Sequence, residues 1–357
     1  MNSDLAPTTL SELAEAVRSS PHLIAVGART KPGLSEVDWP RLVTTGLKGI
    51  VEYNPSEFTF TALAGTPVKE IAAALDEQGQ YLPFDPMLVD AGATLGGTVA
   101  AGLNGPGRFR FGGIRDFILG VRFVDGRGQL LRMGGKVVKN AAGFDLPKFF
   151  VGSMGRFGVM GELTFKVFPK RTTSLTLKLA ATDIEMATRI LTEAAHTRWE
   201  LDALDLLPAG DVCARLAGPE PTLGPLAAEI LARFPGEILS TEQATSLWAE
   251  LREFGWAHPN GPLLKLPLTP TELPGLHKAL RATSESRWHV SVGGNVAYIS
   301  VPDGTELSGF EQTLTSLKLV AVSVRGNGAL WRGIRRDTEI ASAIKAALDP
   351  EHRFPAI

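Results

Sequence analysis

The sequence predicts an α+β protein of two domains: a glycine-rich first domain over 1–170 and a second α+β domain with an antiparallel sheet over 171–336. Three observations lead there. The chain has 357 residues, which at roughly 100 to 200 residues per domain is about two domains, each able to bury its own core. Nearly half of its 38 glycines fall between Gly92 and Gly161, about a fifth of the chain. After Pro169-Lys170-Arg171 glycine thins out, and short apolar runs alternate with amphipathic helical ones. Glycine permits positive φ and close approach of backbone to a ligand, so its concentration fits a backbone wrapped around something. A loop-rich β region with many tight turns fits it equally.

The elements follow in order. Thr9-x-x-Glu12 reads as a capping box ahead of a helix whose apolar stripe is Leu10, Leu13, Ala14 and Val17, stopped by Pro21. His22 to Val26 is a short strand that breaks at Gly27 into a polar turn, Ala28-Arg29-Thr30-Lys31. Ile50 to Tyr53 and Phe58 to Leu63 read as two strands around Asn54-Pro55, followed by a helix with Val68, Ile71, Ala72 and Leu75 on one face and closing at Gly79. Asp125-Gly126-Arg127-Gly128 between two apolar runs is a hairpin signal. Leu163 to Phe168 is a further strand. Beyond it the pattern predicts strands near 174–180, 201–207, 211–216, 263–268, 287–301 and 318–325. Helices are predicted near 183–198, 224–234, 241–253, 271–284 and 304–317. A final helix over 337–348 opens the segment 337–357, a candidate to pack back on the first domain.

Composition excludes several functions. With 36 Lys+Arg against 38 Asp+Glu the formal charge is -2, which gives no electrostatic reason to expect nucleic acid. The basic-aromatic run Arg108-Phe109-Arg110-Phe111 reads as a turn leading into a strand. The single cysteine, Cys213, forms no intramolecular disulfide, CxxC pair, iron–sulfur cluster or zinc knuckle. No apolar run approaches the roughly 18 residues of a membrane span. The start Met1-Asn2-Ser3-Asp4 lacks the basic residues and apolar core of a signal peptide, so the expectation is a cytoplasmic protein.

The G-x-G-x-x-G fingerprint does not occur between a strand and a helix, Gly135-Lys136 lacks the rest of a Walker A loop, and there is no G-x-S-x-G. The six histidines contain no H-E-x-x-H or close pair, so no metal site is expected. Two glycine-rich loops remain. The first is Val26-Gly27-Ala28-Arg29-Thr30-Lys31, and the second runs from Gly92 through Ala93, Thr94, Gly96, Gly97, Thr98, Ala100 and Ala101 to Gly102. Successive backbone N–H groups in such turns form concave anion sites, with Thr30, Thr94 and Thr98 adding hydroxyls. A diphosphate bridging two loops needs this kind of backbone cradle, although an ordinary turn explains either loop alone.

The second loop, then Phe111-Gly112-Gly113-Ile114-Arg115-Asp116, then the run Gly135-Lys136-Val137-Val138-Lys139-Asn140-Ala141-Ala142-Gly143-Phe144-Asp145, then Gly152-Ser153-Met154-Gly155-Arg156-Phe157-Gly158-Val159 resembles the FAD-binding, PCMH-type domain of the vanillyl-alcohol oxidase superfamily. Within it the chain is most similar to the E subunits of bacterial glycolate oxidases. The resemblance covers about 22–170 and returns in 344–350. It implies a two-subdomain FAD-binding fold followed by a cap domain. It places Val26 to Lys31 and the second loop on the FAD diphosphate, Phe111, Gly112 and Ile114 along the ribityl and flavin portion, and the Val159 backbone near the adenine. Phe144 and Lys139 fall beside the flavin, although core packing and a surface cation explain them as well.

The departures carry implications too. The first loop has neither His nor Cys, so non-covalent FAD is expected, and it carries Ala28-Arg29 where Gly-Gly is typical. The Gly-Asp-Gly-Asn-x-His motif of related D subunits and D-lactate dehydrogenases is reduced to Gly293-Gly294-Asn295 with no following His. The resemblance therefore implies an FAD-binding subunit of a glycolate (2-hydroxyacid) oxidase complex. Its partners would be a catalytic D-type flavin subunit and an iron–sulfur subunit, with any membrane attachment made through them. Two alternatives stay open. One is a self-sufficient dehydrogenase using Arg325, Arg332, Arg335 or Arg336 as a carboxylate clamp, unless these are solvated surface arginines. The other is a non-catalytic assembly subunit.

Overall fold

The structure is a computed structural model that describes residues 4–135, 145–281, 283, 285–335 and 338–357. The run Lys136 to Phe144, with Lys139, lies outside the described residues. The chain forms two compact units: Met1–Asn104 with Gly113–Lys170 and Arg336–Ile357, and Gly105–Gly112 with Arg171–Arg335. Both are α+β with antiparallel sheets, the predicted class.

The first unit holds a five-stranded antiparallel sheet in the spatial order Ile50–Asn54, Thr59–Leu63, Val159–Lys166, Ile118–Val124, Leu130–Gly134. Cross-strand pairs fix its register. Phe60 stands opposite Phe165 with rings stacked at 5.8 Å, and the buried Thr61 and Thr164 hydroxyls share a 2.9 Å hydrogen bond. The Asp-Gly hairpin forms as its sequence requires: Asp125 Oδ1 accepts from the N–H groups of Arg127 at 2.9 Å and Gln129 at 2.8 Å. A parallel pair, Ile24–Val26 with Arg41–Val43, lies beside the helix Leu10–Ser19. That helix buries Leu13, Ala14 and Val17 against Leu23, Leu42, Leu47, Val124, Val159 and Phe354. Its cap departs from the expected box. Thr9 Oγ1 accepts from Glu12 N at 3.1 Å, but Glu12 reaches one residue further back, to the N–H and hydroxyl of Thr8 at 2.7 and 2.9 Å.

Two predicted loops are helical. Leu95–Ala101 is a helix inside the second glycine loop, because Thr94 supplies an N-cap and Gly102, at φ +58, a left-handed stop. Arg108–Phe111 is a short helix rather than a turn into a strand, closed by Gly112 at φ +84.

The second unit holds a nine-stranded sheet in the order Gly236–Ile238, Thr173–Leu179, Val212–Gly218, Ala203–Leu206, Arg287–Ser291, Val296–Ser300, Leu263–Pro267, Val320–Arg325, Trp331–Gly333. The two outermost strands carry little apolar alternation, which is why the pattern did not reveal them. Helices Ile184–Ala195, Glu220–Arg233, Leu273–Leu280 and Ser308–Ser316 bury their apolar stripes on the sheet's Leu204, Leu206, Ala214, Leu264, Leu266, Val290, Ala297 and Ile299. Side chains alternate across a strand, so the intervening Cys213, Asp205, His289, Tyr298 and Lys265 belong to the opposite face. Register places Asp205 opposite Cys213, and both His289 and Lys265 opposite Tyr298. Asp205 is fully buried. It accepts from Ser291 Oγ at 2.9 Å and Val292 N at 3.2 Å and pairs with His289 Nε2 at 2.8 Å.

Lys265 sits in this row beside the like charge of Arg108. Desolvation first, and that repulsion second, push its ammonium down to about 8 from 10.5. Its folded-state value lies below the unfolded one, so the cost of holding the charge is full below pH 8 and fades as pH rises toward 10.5. Melting curves of wild type and Lys265→Met across that window should therefore show wild type gaining on the variant from pH 8 upward. A pH-independent difference would contradict the assignment.

Candidate cofactor site

The strand Ile24–Val26 delivers Gly27 to the surface of the helix Leu95–Ala101, where a Cβ on Gly27 would lie 2.4 Å from Thr94 Oγ1. Only glycine permits that approach without displacing the cap. Thr44 Oγ1 steadies the strand's end by donating to Val26 O at 3.2 Å. Past Gly27 the chain turns through Arg29 at φ +57, a left-handed conformation that costs a non-glycine residue roughly 1–2 kcal/mol. The typical Gly-Gly is absent, yet at Arg29 the backbone takes the left-handed conformation that glycine favours. The N–H groups of Gly27, Ala28, Arg29 and Thr30 have no acceptor among the described residues. Lys31 is buried, and its ammonium donates to Thr30 Oγ1 at 2.9 Å.

The second wall is the helix Leu95–Ala101 itself. Its first N–H groups are already engaged: Leu95 N donates to Thr66 O at 2.9 Å, Gly96 N to Ala64 O at 2.7 Å and Gly97 N to Thr94 Oγ1 at 3.2 Å. The second loop therefore does not offer the row of N–H donors expected of it. Those groups anchor the helix to the 64–66 turn, and the loop contributes a flat, small-residue surface instead. Gly96 is required by the anchoring, since a Cβ there would lie 2.8 Å from the Ala64 Cβ. A third wall comes from Met154 to Met160. Gly155, at φ +70, passes 3.4 Å from Ala25 O, measured from where its Cβ would be.

These walls enclose two adjoining cavities of about 60 and 50 Å³. Val26, Gly27, Ala28, Arg29, Thr30, Lys31, Thr94, Gly97, Ala100 and Ala101 line the first, and Gly96 and Val159 line the second with Val26, Gly27, Gly97 and Ala100. Gly92, Ala93, Thr98 and Gly102 support the helix without lining either. Thr98 is buried, and its hydroxyl has no partner among the described residues. Ile114 is fully buried, its N–H donating to Asn104 Oδ1 at 2.7 Å, while Phe111 and Gly112 cluster with the second unit. Sequence reasoning missed Leu34, Ser35, Thr44 and Ala64 as lining residues. Leu34 and Ser35 follow the Pro32-Gly33 turn, and that turn was the available signal.

Residues 4–134 match the FAD binding domain family. The chain is 37% identical over 258 residues to the glycolate oxidase subunit GlcE of Escherichia coli K12, covering 70% of this chain and 69% of that protein. The chain belongs to this FAD-binding family. It is also 31% identical over 160 residues to the glycolate oxidase subunit GlcD of Bacillus subtilis 168, covering 45% of this chain but 32% of that one. Among solved structures, an alkyldihydroxyacetonephosphate synthase matches with a TM-score of 0.70 over 97% of this chain and 75% of its own, at 14% identity, which shows the fold alone.

The donor set suits the family's cofactor. Open N–H groups at 27–30, flanked by Arg29 and Lys31, fit an anion such as a diphosphate. The two cavities are small beside a whole dinucleotide, so these walls account for only part of FAD. Of the arginines considered for a carboxylate clamp, Arg325 and Arg332 are otherwise occupied. Arg325 donates to Gly261 O at 2.9 Å and to His258 O, and the buried Arg332 pairs with Glu311 and donates to Ser323 Oγ at 3.3 Å. Arg335 lies over the Trp331 ring, and Arg336 is outside the described residues.

Gly27→Ala should push the Thr94 hydroxyl off its cap, lowering apo-protein stability by about 1 kcal/mol. The same displacement deforms the cavity, so FAD affinity should fall about tenfold or more, equivalent to about 1.4 kcal/mol. Thermal melting without ligand and a fluorescence titration with FAD separate the two effects. Undiminished affinity would mean that the cofactor binds elsewhere.

Proposed function

We propose that the first unit is the FAD domain, that the second is its cap, and that the chain acts as the FAD-carrying E-type subunit of a glycolate (2-hydroxyacid) oxidase complex. The observation that carries this reading is the cavity between the 27–31 loop and the helix Leu95–Ala101, closed by the approach of Gly27 to Thr94. Bound FAD would supply hydride and electron acceptance, while the chain's own residues bind and orient it. The loop N–H groups with Arg29 and Lys31 hold the diphosphate, and the Val159 side packs near the adenine. Phe111, Gly112 and Ile114 are assigned to the ribityl and flavin portion on the family resemblance.

The flavin is held without a covalent bond. Among the described residues no histidine or cysteine lines the two cavities. Cys213 is fully buried in the second unit, where desolvation first and the Asp205 charge second push its thiol well above the usual range, so it is no nucleophile. One cysteine cannot hold an iron–sulfur cluster, so onward electron transfer falls to an iron–sulfur partner or a diffusible acceptor, and substrate chemistry to a D-type subunit.

Protein purified after expression alone should show a flavin absorbance spectrum, or acquire one on adding FAD, and acid precipitation should release the FAD into the supernatant. A colourless protein that ignores added FAD would sink the cofactor assignment, and flavin retained in the acid pellet would sink the non-covalent one. Co-expressed with a D-type partner, Gly96→Asp should lower glycolate oxidation by the complex. Unchanged activity with a folded, flavin-free variant would mean that the chain is an assembly subunit.

A further inference from the structure

The walls of the cavity come from chain segments far apart in sequence, and one buried side chain joins two of them to a third. Arg156 is only 5% exposed. Its Nη1 donates to Leu34 O at 3.0 Å and to Met154 O at 2.7 Å, and Leu34 and Met154 both line the first cavity. Its Nε donates to Ala356 O at 3.0 Å, in the C-terminal segment of the same unit. A guanidinium is planar and its donors are fixed in a fork, so it sets the relative positions of the carbonyls it binds.

The C-terminal segment is itself held in place by buried charge. Lys345 Nζ donates to Asp349 Oδ2 at 2.5 Å, Phe354 O at 2.9 Å and Arg156 O at 2.6 Å. The fully buried Asp349 accepts from Arg353 N at 2.9 Å and Phe354 N at 3.0 Å. Arg353 O then accepts from Leu23 N at 2.8 Å, one residue ahead of the strand that leads to Gly27. Phe354 belongs to the same apolar cluster as Val159, which lines the second cavity. Gly126 leaves room for this arrangement, since a Cβ there would lie 2.2 Å from Asp349 Oδ1. The segment from Lys345 to Ala356 therefore backs the walls on both sides, and Arg156 is contacted by it through both side chain and backbone.

We propose that Arg156 is a positioning residue for the FAD cavity and couples docking of the C-terminal segment to cofactor binding. This rests on the cofactor assignment made above. Coupling is reciprocal: whatever the docked segment adds to FAD affinity, bound FAD returns as protection of the segment.

The test uses the full chain, with hydrogen exchange followed by mass spectrometry in the presence and absence of FAD, alongside FAD titrations. In wild type, FAD should slow exchange at the Arg353 and Phe354 amides about fivefold or more, with no comparable change in the helix Ile184–Ala195 of the second unit. In Arg156→Lys, which keeps the charge but loses the fork, FAD should bind about tenfold or more weakly and should no longer protect those two amides. A purely structural Arg156 would lower the melting temperature while leaving FAD affinity and FAD-dependent protection as in wild type, and that result overturns the proposal. If Arg156→Lys does not fold, the wild-type comparison decides by itself. FAD binding without slower exchange at Arg353 and Phe354 defeats the coupling alone, whereas failure of wild type to bind FAD defeats the cofactor assignment and this inference with it.

Discussion

The approach of Gly27 to Thr94 is the contact on which the candidate cofactor site depends. A strand end and a helix start can meet this closely only where one partner has no side chain. The contact makes Thr94 serve two surfaces at once, capping its own helix through Gly97 N and forming the floor beneath the 27–31 turn. Gly96 repeats the logic on the other side of the helix, where its N–H bonds Ala64 O and its missing Cβ lets the 64–66 turn close in. The glycines in this region act as spacers between backbones more than as flexible hinges. The consequence for chemistry is a division of labour. The second loop uses its N–H groups for anchoring and provides shape, while the N–H groups of Gly27 to Thr30 in the first loop find no acceptor among the described residues.

The second unit is organised around a buried carboxylate. Asp205 takes three hydrogen-bonding partners from one neighbouring segment, His289, Ser291 and Val292, and so pins Ala203–Leu206 to Arg287–Ser291 where the ladder between them is shortest. Breaking one member would leave the others underbonded in a low-dielectric interior. The same face carries Tyr298 and Lys265 in register, with the Phe254 and Trp256 rings packed against Tyr298 and His289.

Much of this was legible in the sequence because it depends on short-range rules. Helical stripes at Leu10 to Val17 and Val68 to Leu75, the Asp125-Gly126 hairpin and the helix Thr241–Glu253 follow from periodicity and turn chemistry. The strands Gly236–Ile238 and Trp331–Gly333 did not, because edge pairing asks little of side chains. At the candidate cofactor site the strand, glycine and cation of the first loop are contiguous in the sequence, and all six residues from Val26 to Lys31 line the first cavity. The helix within Gly92 to Gly102 was obscured by glycines, whose low helix propensity is outweighed by the Thr94 cap and the hydrogen bonds to 64–66.

By itself, the sequence determined the class of the protein, the division of glycine between its two parts, and the two loops that face one another across the cavity. Those properties reside in local composition and spacing. The tertiary structure alone decided which donors remain open, because an N–H that looks available in a loop is spent once a distant carbonyl such as Ala64 O or Thr66 O reaches it. It also decided that Leu34, Met154 and Ala356 meet at one guanidinium, a juxtaposition across more than three hundred residues of chain for which no local pattern exists.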